Sequence, residues 1–274
     1  MKKITRILSI SLLTVILLIT GCSKKWKPLP LDEKTIRIGA SPSPHAEILE
    51  FAKPLFEAKG YKLEIISFND YIIPNISLED GELDANFFQH TTYLNSFNQN
   101  RETHLVSVGS IHYEPFGIYA GMKSSLNEVS KGDKVLVPND TTNEARALLL
   151  LEELGWIKLR EGVGIYATKN DIVENKYNLN IVELDSAHIA KVRTDGAFAV
   201  INGNYAIAEG LKPTDALALE KQDGTAAVAY ANVLCVRDGN QNHPAIKALY
   251  EVLTSKEVKE YIENTYKGAV VPLI

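Results

Sequence analysis

The stretch that decides the fold is residues 35–68, TIRIGASPSPHAEILEFAKPLFEAKGYKLEIISF. Its two ends, residues 35–40 and 62–68, are short apolar runs typical of β-strands. Residues 45–59 between them carry apolar side chains at helical spacing. Pro54 lies inside that helical pattern and is expected to kink or split the helix. A strand, a helix and a strand at this spacing predict a βαβ unit with parallel strands.

The rest of the chain continues the alternation of strands and helices, which predicts an α/β fold throughout. Further strands or buried extended segments are expected at residues 83–88, 105–108, 117–120, 134–137, 180–184, 197–201 and 228–236. Helices are expected at residues 71–79, from residue 90, and at 142–154, 187–192, 204–209, 244–253 and 255–266. Thr254 and Glu257 have the spacing of a capping box for the last helix, and Gly268 suits its end.

Length, charge and cysteine content exclude several classes of protein. A chain of 274 residues with 45% hydrophobic residues suits one large domain or two lobes. The formal net charge is −5 and the body of the chain has no basic stripe, which argues against a nucleic-acid partner. Two cysteines are too few for a disulfide scaffold or a cysteine-rich zinc site.

The N-terminus has the pattern of an export signal. Residues 1–6 are basic, and the apolar run at 7–19 is too short for a confident membrane-spanning helix. The following Thr20-Gly21-Cys22 resembles a bacterial lipobox, in which the cysteine receives lipid. We therefore expect a signal peptide at 1–21, lipidation of Cys22 and a tether at 22–33; an ordinary signal peptide with a chance cysteine is the alternative.

Motifs for common enzyme chemistry are absent from the sequence. It contains no P-loop, no G-x-S-x-G, no H-E-x-x-H and no G-x-G-x-x-G motif. Cys235, in an apolar run, is expected to be a buried, inert thiol. An exported chain without catalytic motifs is interpreted first as a binding protein that needs no cofactor.

Two segments carry a family resemblance. They are the stretches 68–94, which includes GELDANFFQHTTYL at 81–94, and 137–151, VPNDTTNEARALLLL. Together they resemble the NlpA-type family of methionine-binding lipoproteins of ABC importers, and further matches at 43–49, 199–206 and 230–232 extend the resemblance over the chain from about Ile36. The sequence departs from the family pattern at Thr92, where proline is usual, and at Ala229-Tyr230, where Ser-Pro-Tyr is common.

The resemblance implies a two-lobed periplasmic-binding-protein-like fold of type II, with a ligand cleft between lobes that close by a hinge. One lobe is expected to comprise residues 34–115 plus 232–274, and the other residues 116–231. The implied function is that of a monomeric lipoprotein, anchored in the bacterial cell membrane on its extracytoplasmic side. It would capture methionine or a close derivative and deliver it to an ABC transporter permease and its ATPase.

Asn143 and Arg146 are the candidates for the ligand carboxylate. Arg146 offers the bidentate cationic fork that a carboxylate prefers. The two residues are three apart on one face near a helix N-terminus, where an anion is stabilised. The alternatives are an exposed helical arginine and a simple helix cap.

Further ligand-binding candidates come from the matched motifs. Polar-edged aromatic residues could surround a thioether and exclude water: Tyr71, Phe88, His90 and Tyr93. By the family motif Phe88 faces the cleft and Phe87 the core, while His90 is expected to cap a helix or stack on a ring. Asn202 and Asn232 follow strand-like runs, where ligands bind in open α/β sheets, unless they only form turns. Asn204 is a weaker candidate.

Other functions remain open at this stage. The ligand could be another apolar amino acid or a methionine-containing dipeptide. A metal-ion receptor would use His45, His90, His112 and an acid, but the nearby Arg146 disfavours a bound cation, so no metal site is assigned. An exported enzyme for an amino-acid-like substrate ranks last, because no nucleophile and base can be paired in the sequence.

Overall fold

The computed structural model describes residues 26–221 and 228–273, and its strands divide between two main sheets. The strands, in chain order, are β1 Thr35–Ala40, β2 Lys62–Ser67, β3 Ala85–His90, β4 Leu105–Tyr113, β5 Gly117–Ala120, β6 Lys134–Pro138, β7 Ile157–Leu159, β8 Ile172–Asn175, β9 Asn180–Leu184, β10 Phe198–Ile201, β11 Ala216–Leu219, β12 Ala231–Arg237 and β13 Val271–Pro272. The α-helices are α1 Glu47–Glu57, α2 Ile73–Glu79, α3 Thr91–Arg101, α4 Thr141–Glu153, α5 Ser186–Ile189, α6 Gly203–Ala208, α7 Pro244–Leu253 and α8 Lys256–Tyr266.

Each sheet is the centre of one lobe, as the two-lobed α/β prediction requires. The first sheet has the order β13-β4-β12-β3-β1-β2 and the second the order β11-β5-β10-β6-β9. Both sheets are mixed: β1 pairs in parallel with β2 and β3, whereas β12 is antiparallel to its neighbours β3 and β4. Strands β7 and β8 pair with each other in a separate antiparallel hairpin, which comes between β6 and β9 in the chain.

The β1-α1-β2 unit is present, but Pro54 does not split its helix. Helix α1 runs without a break from Glu47 to Glu57 with Pro54 inside it. Pro54 is exposed, and so is Glu50, whose carbonyl lacks a backbone N–H partner because of the proline, so water can satisfy that carbonyl. The residues before the helix, Pro42–Ala46, form an irregular turn, and the helix therefore begins later than the apolar pattern indicates.

The chain crosses between the sheets at two places. Strand β4 ends the first sheet's part at Tyr113, and β5 opens the second sheet at Gly117, so three residues make the first crossing. The return lies between Leu219 and Ala231, partly outside the described residues. The strand predicted at 228–236 begins only at Ala231, which corrects its start.

Separate hydrophobic cores stabilise the two lobes. The first is centred on β1, α1, α7 and α8, with Ile38, Leu49 and Leu249 fully buried. The second lies between α4 and the second sheet, with Val137, Leu148 and Phe198 fully buried. The apolar faces of these helices pack on sheets whose strands are themselves apolar, as expected for strands covered by helices.

Helix caps show where the sequence prediction was wrong by one residue. Ser255, and not Thr254, is the N-cap of α8, because its hydroxyl accepts from the backbone N–H of Val258 at 3.4 Å. The hydroxyl of Thr254 instead donates to the carbonyl of Tyr250 at 2.8 Å.

The short strands β7, β8, β11 and β13 were not predicted, since two to four residues carry too little periodicity to be recognised.

The described part of the predicted tether packs on the first lobe. The ring of Trp26 stacks on that of His104, with centroids 4.6 Å apart. Asn240 donates to the carbonyl of Leu29 at 3.1 Å, and Leu31 packs against the first core. This segment therefore contacts the protein from Trp26 onward, because its apolar side chains find apolar surface there.

Among the helices of the described residues, none has the length and apolar character needed to span a bilayer.

Candidate functional site

A cavity with at most about 340 Å³ of unoccupied space lies between the two sheets. Its lining residues come from both lobes and are Tyr71, Phe88, Gln89, His90, Tyr93, Glu114, Asn143, Arg146, Asn202, Gly203, Asn204 and Asn232. The structure thus brings together all eight residues that the sequence predicts as ligand-binding, together with the weaker candidate Asn204. The ninth predicted site residue, Cys22, lies outside the described residues.

The N-terminus of α4 forms one wall of this cavity. Asp140 caps the helix by accepting from the backbone N–H of Asn143 at 3.0 Å. The side-chain amide of Asn143 also donates to Asp140, and its Oδ1 accepts from Asn202 at 2.9 Å. The alternative that Asn143 is a simple helix cap is therefore wrong. Asp140 is the cap, and Asn143 connects it to Asn202.

Arg146, one turn further along α4, is buried at 4% exposure. Its guanidinium carbon lies 4.2 Å from the ring centroid of Tyr230 and 4.6 Å from that of Phe116, distances that suit cation–π attraction. One Nη2–H donates to the carbonyl of Glu114 at 3.0 Å. The alternative of an exposed helical arginine is wrong, because the side chain is enclosed.

Glu220 is the counter-ion of Arg146. Its carboxylate accepts from Arg146 Nε at 2.8 Å and from Nη2, and it also accepts from the Tyr113 hydroxyl. Burial alone would lower the pKa of Arg146, but the adjacent Glu220 charge raises it above its ordinary value. The guanidinium is therefore charged at every physiological pH.

Asn202 carries an acceptor without a donor. It follows β10 and its amide nitrogen is held by Asn143, which fixes the direction of its oxygen. The Oδ1 atom is buried and receives no hydrogen bond from the described residues. Because buried acceptors are almost always satisfied, this atom calls for a donor from a molecule in the cavity.

Aromatic rings form the opposite end of the cavity. Tyr71 lies 5.9 Å from Phe88 and 5.7 Å from Tyr93, measured between ring centroids. Phe88 faces this cluster, whereas Phe87, the next residue of β3, belongs to the first core. The alternation of side chains along a strand separates the two phenylalanines.

His90 caps helix α3. Its Nδ1 accepts from the backbone N–H of Tyr93 at 3.0 Å, which places the ring proton on Nε2, 3.3 Å from Asn143 Oδ1. Burial, together with the charge of Arg146, lowers the pKa of His90 to about 3. A neutral His90 thus contributes a ring edge and orients Asn143.

A buried cluster of His45, His112 and Glu114 lies behind Asn232. The ligand-type atoms of the three residues lie within 4.8 Å of one another. His112 Nε2 lies 2.8 Å from the Glu114 carboxylate, while His45 Nε2 lies 3.0 Å from Asn232 Oδ1 and 3.3 Å from Glu114. With both imidazoles protonated on Nε2, His112 donates to the Glu114 carboxylate and His45 donates to Asn232 Oδ1, while the approach of His45 to Glu114 is a close contact and not a hydrogen bond. His90 does not join this cluster, so the four-ligand set imagined for a metal receptor is not assembled.

Asn232 lies at the beginning of a strand, whereas the sequence predicts that it follows one. It is the second residue of β12, an antiparallel strand paired with both β3 and β4. Its side chain reaches the cavity because β12 begins at the cleft, and His45 holds its oxygen. The place of Asn232 along its strand differs from the prediction, but its side chain still lines the cavity.

Sequence reasoning missed three of the lining residues, Glu114, Gln89 and Gly203, and Glu114 is the charged one. It directly follows β4 at the first crossing between lobes, a position that could have identified it. Gly203 leaves room for it, since a Cβ at that position would lie 2.7 Å from the Glu114 Cβ. Gln89 was also missed, but its amide is engaged with Asn75 and Asn86.

The lobes touch across the cavity. The Tyr71 hydroxyl donates to Asn204, and the Tyr205 hydroxyl donates to the carbonyl of Asn69 at 3.2 Å. The two departures from the family pattern also meet, because the Thr92 hydroxyl donates to the carbonyl of Ala229 at 2.6 Å. These contacts close the cleft around the cavity.

The burial of His45 predicts that the free energy of unfolding depends on pH. Burial lowers the pKa of His45 to about 4 from an ordinary value of 6.5, so the unfolded chain binds a proton that the folded protein excludes. The His45 contribution to the free energy of unfolding is present above pH 6.5 and is lost as pH falls towards 4. The free energy of unfolding, measured by urea denaturation, should fall between pH 7.5 and pH 4. Its slope against pH should be shallower in His45→Gln. The exposed His188→Gln is the control and should keep the wild-type slope; equal slopes in all three proteins would contradict the prediction.

Comparisons with known proteins agree with this geometry. A family model described as NlpA lipoprotein matches residues 36–274. The methionine-binding lipoprotein MetQ of Bacillus subtilis is 40% identical over 246 residues, which cover 88% of this chain and 89% of that protein. A nutrient-binding protein from Burkholderia cenocepacia, solved bound to methionine, is 41% identical with a TM-score of 0.83 and covers 87% of this chain and 100% of that one. A protein of Ruminococcus gnavus is 56% identical with a TM-score of 0.87, over 88% and 100% of the two chains.

Proposed function

Because the chain belongs to the NlpA lipoprotein family, we propose that it captures methionine between its lobes and delivers it to an ABC permease with its ATPase. The relatives named methionine-binding lipoproteins and the methionine-bound neighbour support this proposal. The observation that carries it is one cavity between the lobes with a buried cation, an unpaired acceptor and an aromatic cluster. These three features match the carboxylate, the ammonium and the side chain of an apolar amino acid.

Arg146 would bind the carboxylate. Its Nη1 makes no hydrogen bond to the described part of the chain, so that edge of the guanidinium is available. The site also lies at the N-terminus of α4, where the helix dipole stabilises an anion. Asn143 would contribute by orienting Asn202 and His90.

The ammonium would lie between Asn202 Oδ1 and Glu114. The first is an acceptor without a donor, and the second is the carboxyl group that lines the cavity. Burial raises the pKa of Glu114, and a ligand ammonium would offset that effect by favouring the charged form. Asn232, held by His45, is the third polar group at this end.

The thioether would lie among Tyr71, Phe88, His90 and Tyr93. Sulfur–aromatic contacts contribute about 0.3–1.5 kcal/mol each, in addition to the exclusion of water. The cavity is small, with at most about 340 Å³ of unoccupied space, which favours a single amino acid over a dipeptide. Another apolar amino acid or a methionine-containing dipeptide remains the alternative ligand.

The lining also supports a binding role over catalysis. None of the twelve described lining residues is a serine, threonine, cysteine or lysine, and the one carboxyl group among them, Glu114, is engaged by His112. We therefore propose that the protein releases its ligand unchanged, without a cofactor or a bound metal.

Closure of the lobes on the ligand gives the direct test. Methionine contacts both lobes, so it should lower the radius of gyration measured by small-angle scattering relative to the ligand-free protein. Methionine amide lacks the carboxylate and alanine lacks the thioether, so each should bind weakly and compact the protein less. Titration calorimetry in EDTA should leave methionine binding unchanged, whereas loss of binding there would favour the metal-receptor alternative. If alanine compacts the protein as fully as methionine does, the aromatic residues are not the closing contacts.

The lobe limits are proposed as 34–115 plus 232–274 and 116–231. Membership of the two sheets supports them, since β1–β4, β12 and β13 share one sheet and β5, β6 and β9–β11 share the other. The hinge would then consist of the crossing at residues 114–116 and the return before Ala231. A monomer is sufficient for this mechanism, because both halves of the cavity come from one chain.

The proposed location is the extracytoplasmic face of the bacterial cell membrane, with lipid on Cys22 as anchor. The relatives are lipoproteins by name, which supports it. Metabolic labelling with a radioactive fatty acid should mark the wild-type protein and leave Cys22→Ser unlabelled. Label on the Ser variant would rule out Cys22 as the lipidation site.

A further inference from the structure

The Arg146–Glu220 pair separates two spaces. Arg146 lines the closed cavity, and it also lines an outer groove shared with Glu220, Glu153 and Tyr230. Glu220 lines only the groove. The guanidinium therefore forms a partition, with the cavity on one side and the Glu220 carboxylate on the other.

The contacts of Glu220 hold it firmly behind Arg146. Its Oε2 accepts from Arg146 Nε at 2.8 Å, and its Oε1 accepts from Nη2, from the Tyr113 hydroxyl and, at 3.2 Å, from the backbone N–H of Phe116. The Glu220 side chain is 10% exposed and that of Arg146 is 4% exposed. Tyr113 precedes the first crossing between lobes and Phe116 is the last residue of that crossing, so the pair is fixed to the hinge.

We propose that Glu220 is a positioning residue that sets the selectivity of the site for a ligand carboxylate. This inference rests on the proposed function and deepens it. Glu220 holds the Nε edge of the guanidinium, so that the remaining edge faces the cavity. It also cancels part of the charge that a ligand carboxylate feels, because charges on opposite sides of one guanidinium are only a few ångströms apart.

The partial cancellation has a functional consequence. A buried arginine without a counter-ion would hold any carboxylate tightly and release it slowly. With Glu220 in place, the carboxylate contributes less to affinity, and the side-chain contacts contribute a larger share of the discrimination between amino acids. A receptor that must hand its ligand to a permease benefits from this balance.

The test measures the ratio of affinities for methionine and methionine amide, because both carry the same ammonium and thioether. In Glu220→Gln, which keeps the side-chain shape and one acceptor oxygen but replaces the other with an amide NH2, the ratio should rise about tenfold as the negative charge is removed. Glu220→Asp, which retains the charge but withdraws it by one methylene, should raise the ratio less. Glu153→Gln is the matched control, since this acid lies in the same groove and pairs with Lys221 instead of Arg146; its ratio should equal that of the wild type.

The outcomes separate this inference from the proposed function. A raised ratio in both Glu220 variants, with none in the control, supports the inference. A purely structural Glu220 would weaken both ligands equally, so an unchanged or lower ratio in both variants overturns it. Failure of the wild-type protein to bind methionine would overturn the proposed function itself, and this inference with it.

Discussion

Arg146→Ala is expected to weaken methionine binding by about 3 kcal/mol or more, which corresponds to roughly a hundredfold in Kd. The variant removes the buried cation that is proposed to bind the ligand carboxylate. It also leaves the Glu220 carboxylate enclosed without its partner, so the free energy of unfolding should fall as well. Titration calorimetry measures the first effect and urea denaturation the second.

A double variant separates these two effects. Arg146→Met with Glu220→Gln removes both charges and keeps the side-chain volumes close to the original, so much of the lost stability should return. Methionine binding should not return, because the carboxylate still lacks its cation. Near wild-type affinity in the stable double variant would show that Arg146 is not the carboxylate ligand.

Arg237→Met is expected to lower the free energy of unfolding by about 3 kcal/mol. Arg237 is 1% exposed and its Nη1 donates to the carbonyls of Leu78 and Leu83, at 2.6 and 2.5 Å. These carbonyls lie at the end of α2 and in the following loop, and the variant leaves them without this donor. Urea denaturation measures the loss, and methionine affinity should change little because Arg237 does not line the cavity.

Arg160→Met is the matched control for this prediction. Arg160 pairs with Asp171 through a side chain that is 67% exposed. Exposed ion pairs contribute about 0–1 kcal/mol, so this variant should remain close to the wild type. Equal losses in Arg160→Met and Arg237→Met would mean that burial of Arg237 does not make its hydrogen bonds important.

Local patterns in the sequence predicted the long elements well. Helix α4 was predicted at 142–154 and found at Thr141–Glu153, because its apolar spacing is unbroken. The parallel β1-α1-β2 unit was likewise confirmed. Pro54 was judged by its general effect on helices, but that effect depends on whether the affected carbonyl faces water, which the sequence does not state.

The motifs led to eight of the residues that line the cavity, whereas the two acidic residues beside them, Glu114 and Glu220, are placed by contacts between distant parts of the chain. Glu220 lies 74 positions from Arg146 in the chain, so no local spacing connects them. Glu114 forms its cluster with His45, which lies in a different part of the first lobe. The fold brings such distant residues together. Local spacing in one sequence therefore cannot predict that they pair.

The packing of Trp26 and Leu29 on the first lobe would limit how far the protein could move from the proposed lipid anchor at Cys22. If lipid on Cys22 holds the chain, a free leash to residue 34 would reach about 42 Å at full extension. The contact at Trp26 leaves only four residue steps, or about 14 Å. A threefold shorter leash confines the molecule to a volume roughly 27 times smaller, which raises its effective concentration beside a permease in the same membrane. The first lobe would then lie close to the lipid headgroups. The second lobe would make most of the movement when the cleft opens.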